Sequence, residues 1–279
     1  MTTNKYPENV TERGQRWKRA PKAGELNGHR ITDHAQSEAG LRVSETVYWE
    51  KYYEHLDFNY EWNNGILEEK PVADVRNAAL YRWLLKLIEA YLEVQPIAQL
   101  VNLEIGFRLA LPDKTTIRKP DLFVVRNDNP MALRPTDRTF AGICDLCIEF
   151  LSDSDKDEIE RDTIDKKSEY AMIGVREYYI LDASDTHMAF FHRTLAGDYA
   201  SIHPSSDGVI RSDVLPGFQF RIADLHRQPS LIEMAEDPLY QDFVLPEYQA
   251  QIVRTKQAEA RAERLAAKLR ALGIEDKDL

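Results

Sequence analysis

Two short apolar runs, each carrying a single carboxylate, constrain this chain more than any other feature. One is Pro120-Asp121 opening onto Leu122-Phe123-Val124-Val125; the other is Cys147-Ile148-Glu149-Phe150-Leu151. Runs of this length and composition read as buried strands. A charged acid in such a strand costs several kcal/mol unless it is paired or bound to a cation. Two such acids on neighbouring strands also repel one another. A divalent cation between Asp121 and Glu149 removes both costs, and hard oxygen donors suit Mg²⁺ or Mn²⁺.

After Glu149 the chain supplies N-capping residues at Ser152-Asp153-Ser154-Asp155 and then a polar helix over 156–173, with Gly174 as its C-terminal stop. Asp162, Lys166, Tyr170 and Ile173 share one face of that helix at steps of four and three. A third apolar run, Glu177-Tyr178-Tyr179-Ile180-Leu181, follows. Strand, helix, strand is a crossover unit, normally parallel and right-handed.

A metal-dependent nuclease of the P-D…E-x-K type wants a lysine two residues after its second acid. Here that position is Leu151. Lys166 can take over the part if its helix packs over the acids. The competing reading is a solvated lysine paired with Asp162 one turn earlier. Both stay open on spacing alone.

Along the rest of the chain, residues 1–42 lack apolar periodicity and read as a flexible, locally basic arm. Ser44 can cap a helix reaching about Leu56. Asn63-Asn64-Gly65 is a hairpin turn between strands over 59–62 and 66–69, because Asn-Gly tolerates positive φ. A helix spans about 74–94, strands follow at 98–103 and 106–111, and residues 127–142 form a long loop. Hairpin-like strands fill 187–214. Residues 43–228 are expected as one domain, and residues 229–279 as a linker and a long helix starting at about 247.

The formal net charge is −11, from 36 Lys/Arg against 47 Asp/Glu. That balance excludes coating nucleic acid through bulk charge, though not a local groove. No run of about 18 apolar residues exists, so no membrane span is expected. The polar first 19 residues carry no signal-type apolar segment, which sets a cytoplasmic expectation. Cys144 and Cys147 are the only cysteines. A zinc site would need a second pair, so they read as two small buried hydrophobes. The seven histidines show no metal-binding spacing.

The order Tyr60-Glu61, Asn64-Gly65, Pro120-Asp121, Ile148-Glu149-Phe150-Leu151-Ser152, Asp162-x-x-x-Lys166-x-x-x-Tyr170, Gly174-Val175-x-Glu177-Tyr178-Tyr179 and Leu215-Pro216-Gly217 resembles the Uma2 family of the PD-(D/E)XK nuclease superfamily. The likeness runs from about residue 45 to 228, and the tail from Leu265 also resembles that of many members. It implies an α/β fold with a restriction-endonuclease-like core, a mixed central β-sheet flanked by helices, and a long C-terminal helix. It implies a metal-dependent endonuclease acting on nucleic acid, with DNA as the expected substrate. Asp121, Glu149 and the backbone carbonyl of Phe150 would hold Mg²⁺ or Mn²⁺, Lys166 would be the lysine moved from strand to helix, and Glu61 would be a further acid of the site. The family histidine near residues 72–77 is absent here.

Two alternatives accompany that reading. The chain could keep the nuclease fold without catalysis and serve as a binding module. Or the C-terminal helix could be the working part, since Ala258, Ala262, Leu265, Leu269 and Leu272 form a stripe that could join a second copy into a homodimer.

Overall fold

The computed structural model describes residues 36–102, 104–151 and 156–271. The basic arm up to residue 35, the capping residues 152–155 and Leu272 of the C-terminal stripe lie outside the described residues.

The first elements are a short helix α1 (Glu45–Val47), continued by a π-helical turn over Tyr48–Tyr52, and a hairpin of β1 (Tyr60–Asn63) and β2 (Ile66–Glu69). The Ser44 hydroxyl accepts from the Val47 amide and caps α1. Asn64 and Gly65 both have positive φ, 48° and 98°, as a two-residue mirror-image turn requires. Part of the presumed arm belongs to this hairpin. Gly40 N–H donates to Leu67 O, Leu67 N–H donates to Leu41 O, and Arg42 bridges Ile66.

Next come α2 (Val75–Val94), β3 (Ala98–Val101), β4 (Gly106–Ala110), β5 (Thr115–Arg118), β6 (Leu122–Arg126), β7 (Thr139–Phe140) and β8 (Leu146–Phe150). The Asp74 carboxylate caps α2 through the Asn77 amide at 2.8 Å. Strand β5 was not legible in the sequence. It is a short polar segment whose ladder partners, β1 and β4, supply the reason it is a strand.

The crossover then runs through α3 (Lys156–Glu160), a π-helical turn over Arg161–Asp165, and α4 (Lys166–Ile173) to β9 (Glu177–Leu181). Gly174 ends it at φ 101°. β9 lies parallel to β8, with Leu146 opposite Glu177. The remaining elements are β10 (Ala189–Arg193), β11 (Tyr199–Ser201), β12 (Val209–Arg211), β13 (Gln219–Arg221), α5 (Ile222–Arg227), α6 (Leu231–Glu236) and α7 (Pro246–Ala271).

Six strands form the mixed central sheet in the order β11-β10-β9-β8-β6-β3, and five more form a second sheet in the order β2-β1-β5-β4-β7. Alternation decides what each face of the central sheet meets. Leu122, Val124, Leu146, Ile148, Phe150, Tyr179 and Leu181 point to one side and pack with Leu80, Leu84, Leu87 and Ile88 of α2. Phe123, Val125, Cys147, Leu151, Tyr178 and Ile180 point to the other and pack with Phe107 and Leu109 of the second sheet and Tyr170 of α4. Both faces are covered, so these strands are apolar throughout rather than alternating. Each fully buried large side chain adds about 1.5–3 kcal/mol.

The segment expected as a linker is part of this core. Met234, Ala235, Tyr240, Phe243 and Val244 are buried in the same cluster as α2. α7, by contrast, has no buried residue. Among the described residues no helix is long and apolar enough to cross a membrane. Cys144 and Cys147 are buried free thiols. Cys144 precedes β8 and Cys147 lies within it, and their sulfurs approach to 3.0 Å.

Candidate active site

β6 and β8 are antiparallel with Leu122 opposite Ile148. One step further, that register sets Asp121 opposite Glu149, on the same side of the sheet. Glu149 lies in the strand between Cys147 and Leu151, the side that α4 covers. β1 and β5 pair Trp62 with Ile117, and one further step sets Glu61 opposite Arg118. The link from β5 to β6 is only Lys119-Pro120-Asp121, so it carries the chain from one sheet to the other across the site.

Each acid of the pair has one oxygen tied to the protein and one turned outward. Asp121 Oδ2 accepts the Phe150 amide at 2.8 Å, and Oδ1 faces the Lys70 ammonium at 2.8 Å. Glu149 Oε1 accepts Lys166 Nζ at 3.0 Å and the Tyr170 hydroxyl at 3.1 Å, while Oε2 faces Lys70 Nζ at 4.0 Å. Lys70 Nζ also donates to the Lys119 carbonyl oxygen. Three oxygens from two strands and their connection thus surround one cationic point.

Lys166 is 1% exposed and joins the acids from the helix side. Its ammonium lies 2.9 Å from Asp162 Oδ1, 3.0 Å from Glu149 Oε1 and 3.3 Å from Glu61 Oε1. The solvated-lysine reading is therefore set aside, although its proposed partner, Asp162, is indeed bound. The π-helical turn ends at Asp165, directly before Lys166, and inserts one extra residue into the helix where it meets the acids. Glu61 is fully buried and accepts the Lys119 amide at 2.8 Å and Arg118 Nη1 at 3.1 Å. Arg118 continues outward to Glu68 and to Glu169, the latter by two parallel bonds of 2.7 and 2.9 Å.

Burial and the neighbouring Asp121 and Asp162 push Glu149 up to about 7, against the opposing pull of Lys166 and Lys70. Burial alone would raise Glu61, but Lys166 and Arg118 hold it well below the ordinary carboxylate range. Burial would lower Lys70 and Lys166, and their carboxylate partners more than offset it, so both stay charged.

These groups open into a cavity of about 540 Å³. Its wall carries six carboxylates, Asp57, Glu69, Glu104, Asp121, Glu149 and Asp162, against three cations, Lys70, Arg161 and Lys166. Such a wall repels an incoming phosphate unless further positive charge is supplied. Val72, Ala73 and Asn77 line the same cavity.

The donor chemistry fits a divalent ion. No group of three or more His, Cys, Asp or Glu side chains able to hold a metal occurs among the described residues. Mg²⁺, however, is commonly held by one or two carboxylates, with water and substrate phosphate completing its shell. Asp121 Oδ1, Glu149 Oε2 and the Lys119 carbonyl are hard oxygens already grouped about one cation.

The structure brings Asp121, Glu149, Lys166 and Glu61 into one cluster. Phe150 is there through its amide, which anchors Asp121. Sequence reasoning missed Lys70 and Arg118. Arg118 lies two residues before Pro120-Asp121, which is a usable signal. Lys70 follows two glutamates at a hairpin end, and nothing local distinguishes it from a surface lysine.

A family model described as "Uma2: Putative restriction endonuclease" matches residues 48–223. Among solved structures, a chain titled a "putative nuclease belonging to DUF820" from Anabaena variabilis matches at 16% identity and a TM-score of 0.47. The match covers 62% of this chain and 92% of that one. Among curated proteins nothing matches.

Proposed function

The chain belongs to the Uma2 family, and from that premise we propose that it is a divalent-cation-dependent endonuclease hydrolysing phosphodiester bonds of DNA. One observation carries the proposal: Asp121 and Glu149 each have one oxygen fixed by the protein and present the other to a shared point.

Asp121 and Glu149 would hold Mg²⁺ or Mn²⁺, with the Lys119 carbonyl beside them. When bound, the ion supplies Lewis acidity at the scissile phosphate and a water of lowered pKa. The protein's own groups prepare that point. The Phe150 amide fixes Asp121, so its free oxygen needs no reorganisation. Lys166 and Tyr170 fix Glu149 from the other side, which makes Lys166 a positioning residue first. Its charge also opposes that of the phosphate. Glu61 and Asp162 hold the Lys166 ammonium at its place from two directions. The acidic wall makes phosphate entry depend on the bound cation.

The test incubates circular and linear DNA, RNA and single strands with the full-length protein in Mg²⁺ or Mn²⁺, beside Asp121→Ala. Asp121 is partly exposed, and thermal unfolding of the variant checks that it keeps its fold. Cleavage is expected to need the ion and to vanish in the variant. Equal cleavage by the variant, or cleavage in chelator, overturns the assignment.

A further inference from the structure

Lys70 sits at the point the two acids share, and the mechanism above leaves it without a part. We propose that its ammonium is a built-in stand-in for the divalent ion: it closes the Asp121–Glu149 pair in the metal-free protein and must leave before an ion can bind. The inference rests on the metal-dependent reading of this same site.

The geometry is that of an occupant rather than a neighbour. Lys70 Nζ contacts Asp121 Oδ1 at 2.8 Å and the Lys119 carbonyl, and lies 4.0 Å from Glu149 Oε2. These are the two free carboxylate oxygens and the one backbone oxygen grouped at that point. The other oxygens of both acids are committed elsewhere, to the Phe150 amide and to Lys166 and Tyr170. The lysine side chain is 8% exposed, so the ammonium is held in place rather than resting on the surface. A lysine and a divalent ion cannot share one set of oxygens, because like charges at contact distance repel.

The four-carbon stem gives the ammonium somewhere to go. The cavity it borders also carries Asp57, Glu69 and Glu104, which offer it a second set of carboxylate partners. Lys70 thus has two consequences. It keeps two facing acids, one buried and one partly exposed, from repelling in the empty protein, and it weakens metal binding by competition.

The experiment is calorimetric titration of Mn²⁺ into full-length wild type, Lys70→Met, Lys70→Gln and Asp121→Ala, with thermal unfolding of each in chelator and in Mn²⁺. Both Lys70 variants are expected to bind Mn²⁺ at least ~10-fold more tightly than wild type, since no ammonium must be displaced. They are also expected to melt lower in chelator and to regain that loss in Mn²⁺. Wild-type binding that depends on Asp121, with both Lys70 variants binding equally or more weakly, overturns the role of Lys70 and leaves the metal site standing. Variants that stay unfolded even in Mn²⁺ also overturn it, because the ion then fails to replace the ammonium. No binding by any of the four proteins overturns the metal reading and this inference together.

Discussion

Replacing Lys166 by Met separates what holds this site together from what the site does. Lys166 is 1% exposed, and its ammonium lies within 3.3 Å of three carboxylates. At an effective dielectric near 20, each contact at about 3 Å is worth roughly 5 kcal/mol in gross Coulomb attraction. Desolvation consumes most of that, so the net worth of the cluster is small. Removing one partner is a different matter, because the desolvated carboxylates remain. Glu149 keeps the Tyr170 hydroxyl, and Glu61 keeps Arg118 and the Lys119 amide. Asp162 keeps only Arg161 among basic groups, at 3.6 Å. Breaking a buried pair from one side costs about 3–5 kcal/mol. For a domain of this size that lowers the melting temperature on the order of 10 °C. Equilibrium unfolding in guanidinium reads the loss as a shifted midpoint at constant slope. Adding Glu149→Gln removes one stranded charge, so the double variant should be more stable than the two single losses predict, by about 0.5–3 kcal/mol. A Lys166→Met protein within ~1 kcal/mol of wild type would refute the reasoning, since the buried acids would then need no partner.

Three further outcomes are expected. Burial would raise Glu169, but the bidentate Arg118 and Lys114 hold its carboxyl below the ordinary value of 4.5. A depressed folded value means the stabilisation is present above the unfolded pKa and is lost as pH falls through the folded one. Glu169→Gln should therefore cost about 1–3 kcal/mol at pH 7, and its deficit in pH-dependent unfolding should shrink below 4.5; a deficit constant with pH would sink this. A Cβ on Gly106 would lie 2.7 Å from the Arg118 carbonyl oxygen, which is backbone with little room to move. Gly106→Ala should cost about 1–3 kcal/mol and disturb the Lys119-Pro120-Asp121 link, read as a lower melting temperature with weaker Mn²⁺ binding; an unchanged melt refutes it. Because α7 has no buried residue, the full-length chain is expected to sediment as a dimer and a chain ending at Pro246 as a monomer, and equal subunit numbers would remove the helix from consideration.

The sequence by itself determined the pieces that obey local rules. The Asn64-Gly65 turn, the Ser44 cap, the Gly174 stop and the apolar runs around Asp121 and Glu149 all follow from backbone preference and burial pattern. It also marked the two acids, because a carboxylate in an apolar strand has to be explained. What Lys166 does was not decidable there, since a lysine four residues after an aspartate reads equally well as a surface pair. Packing of the crossover helix onto the sheet settled its place among the acids. Strand β5, the inclusion of residues 231–244 in the core, and the seating of Lys70 and Arg118 came only from tertiary structure. These features depend on strand register and on contacts between residues about 50 or more positions apart, such as Lys70 with Asp121 and Arg118 with Glu169. No periodicity along the chain encodes such a meeting, because electrostatic partners are chosen by where the fold delivers them.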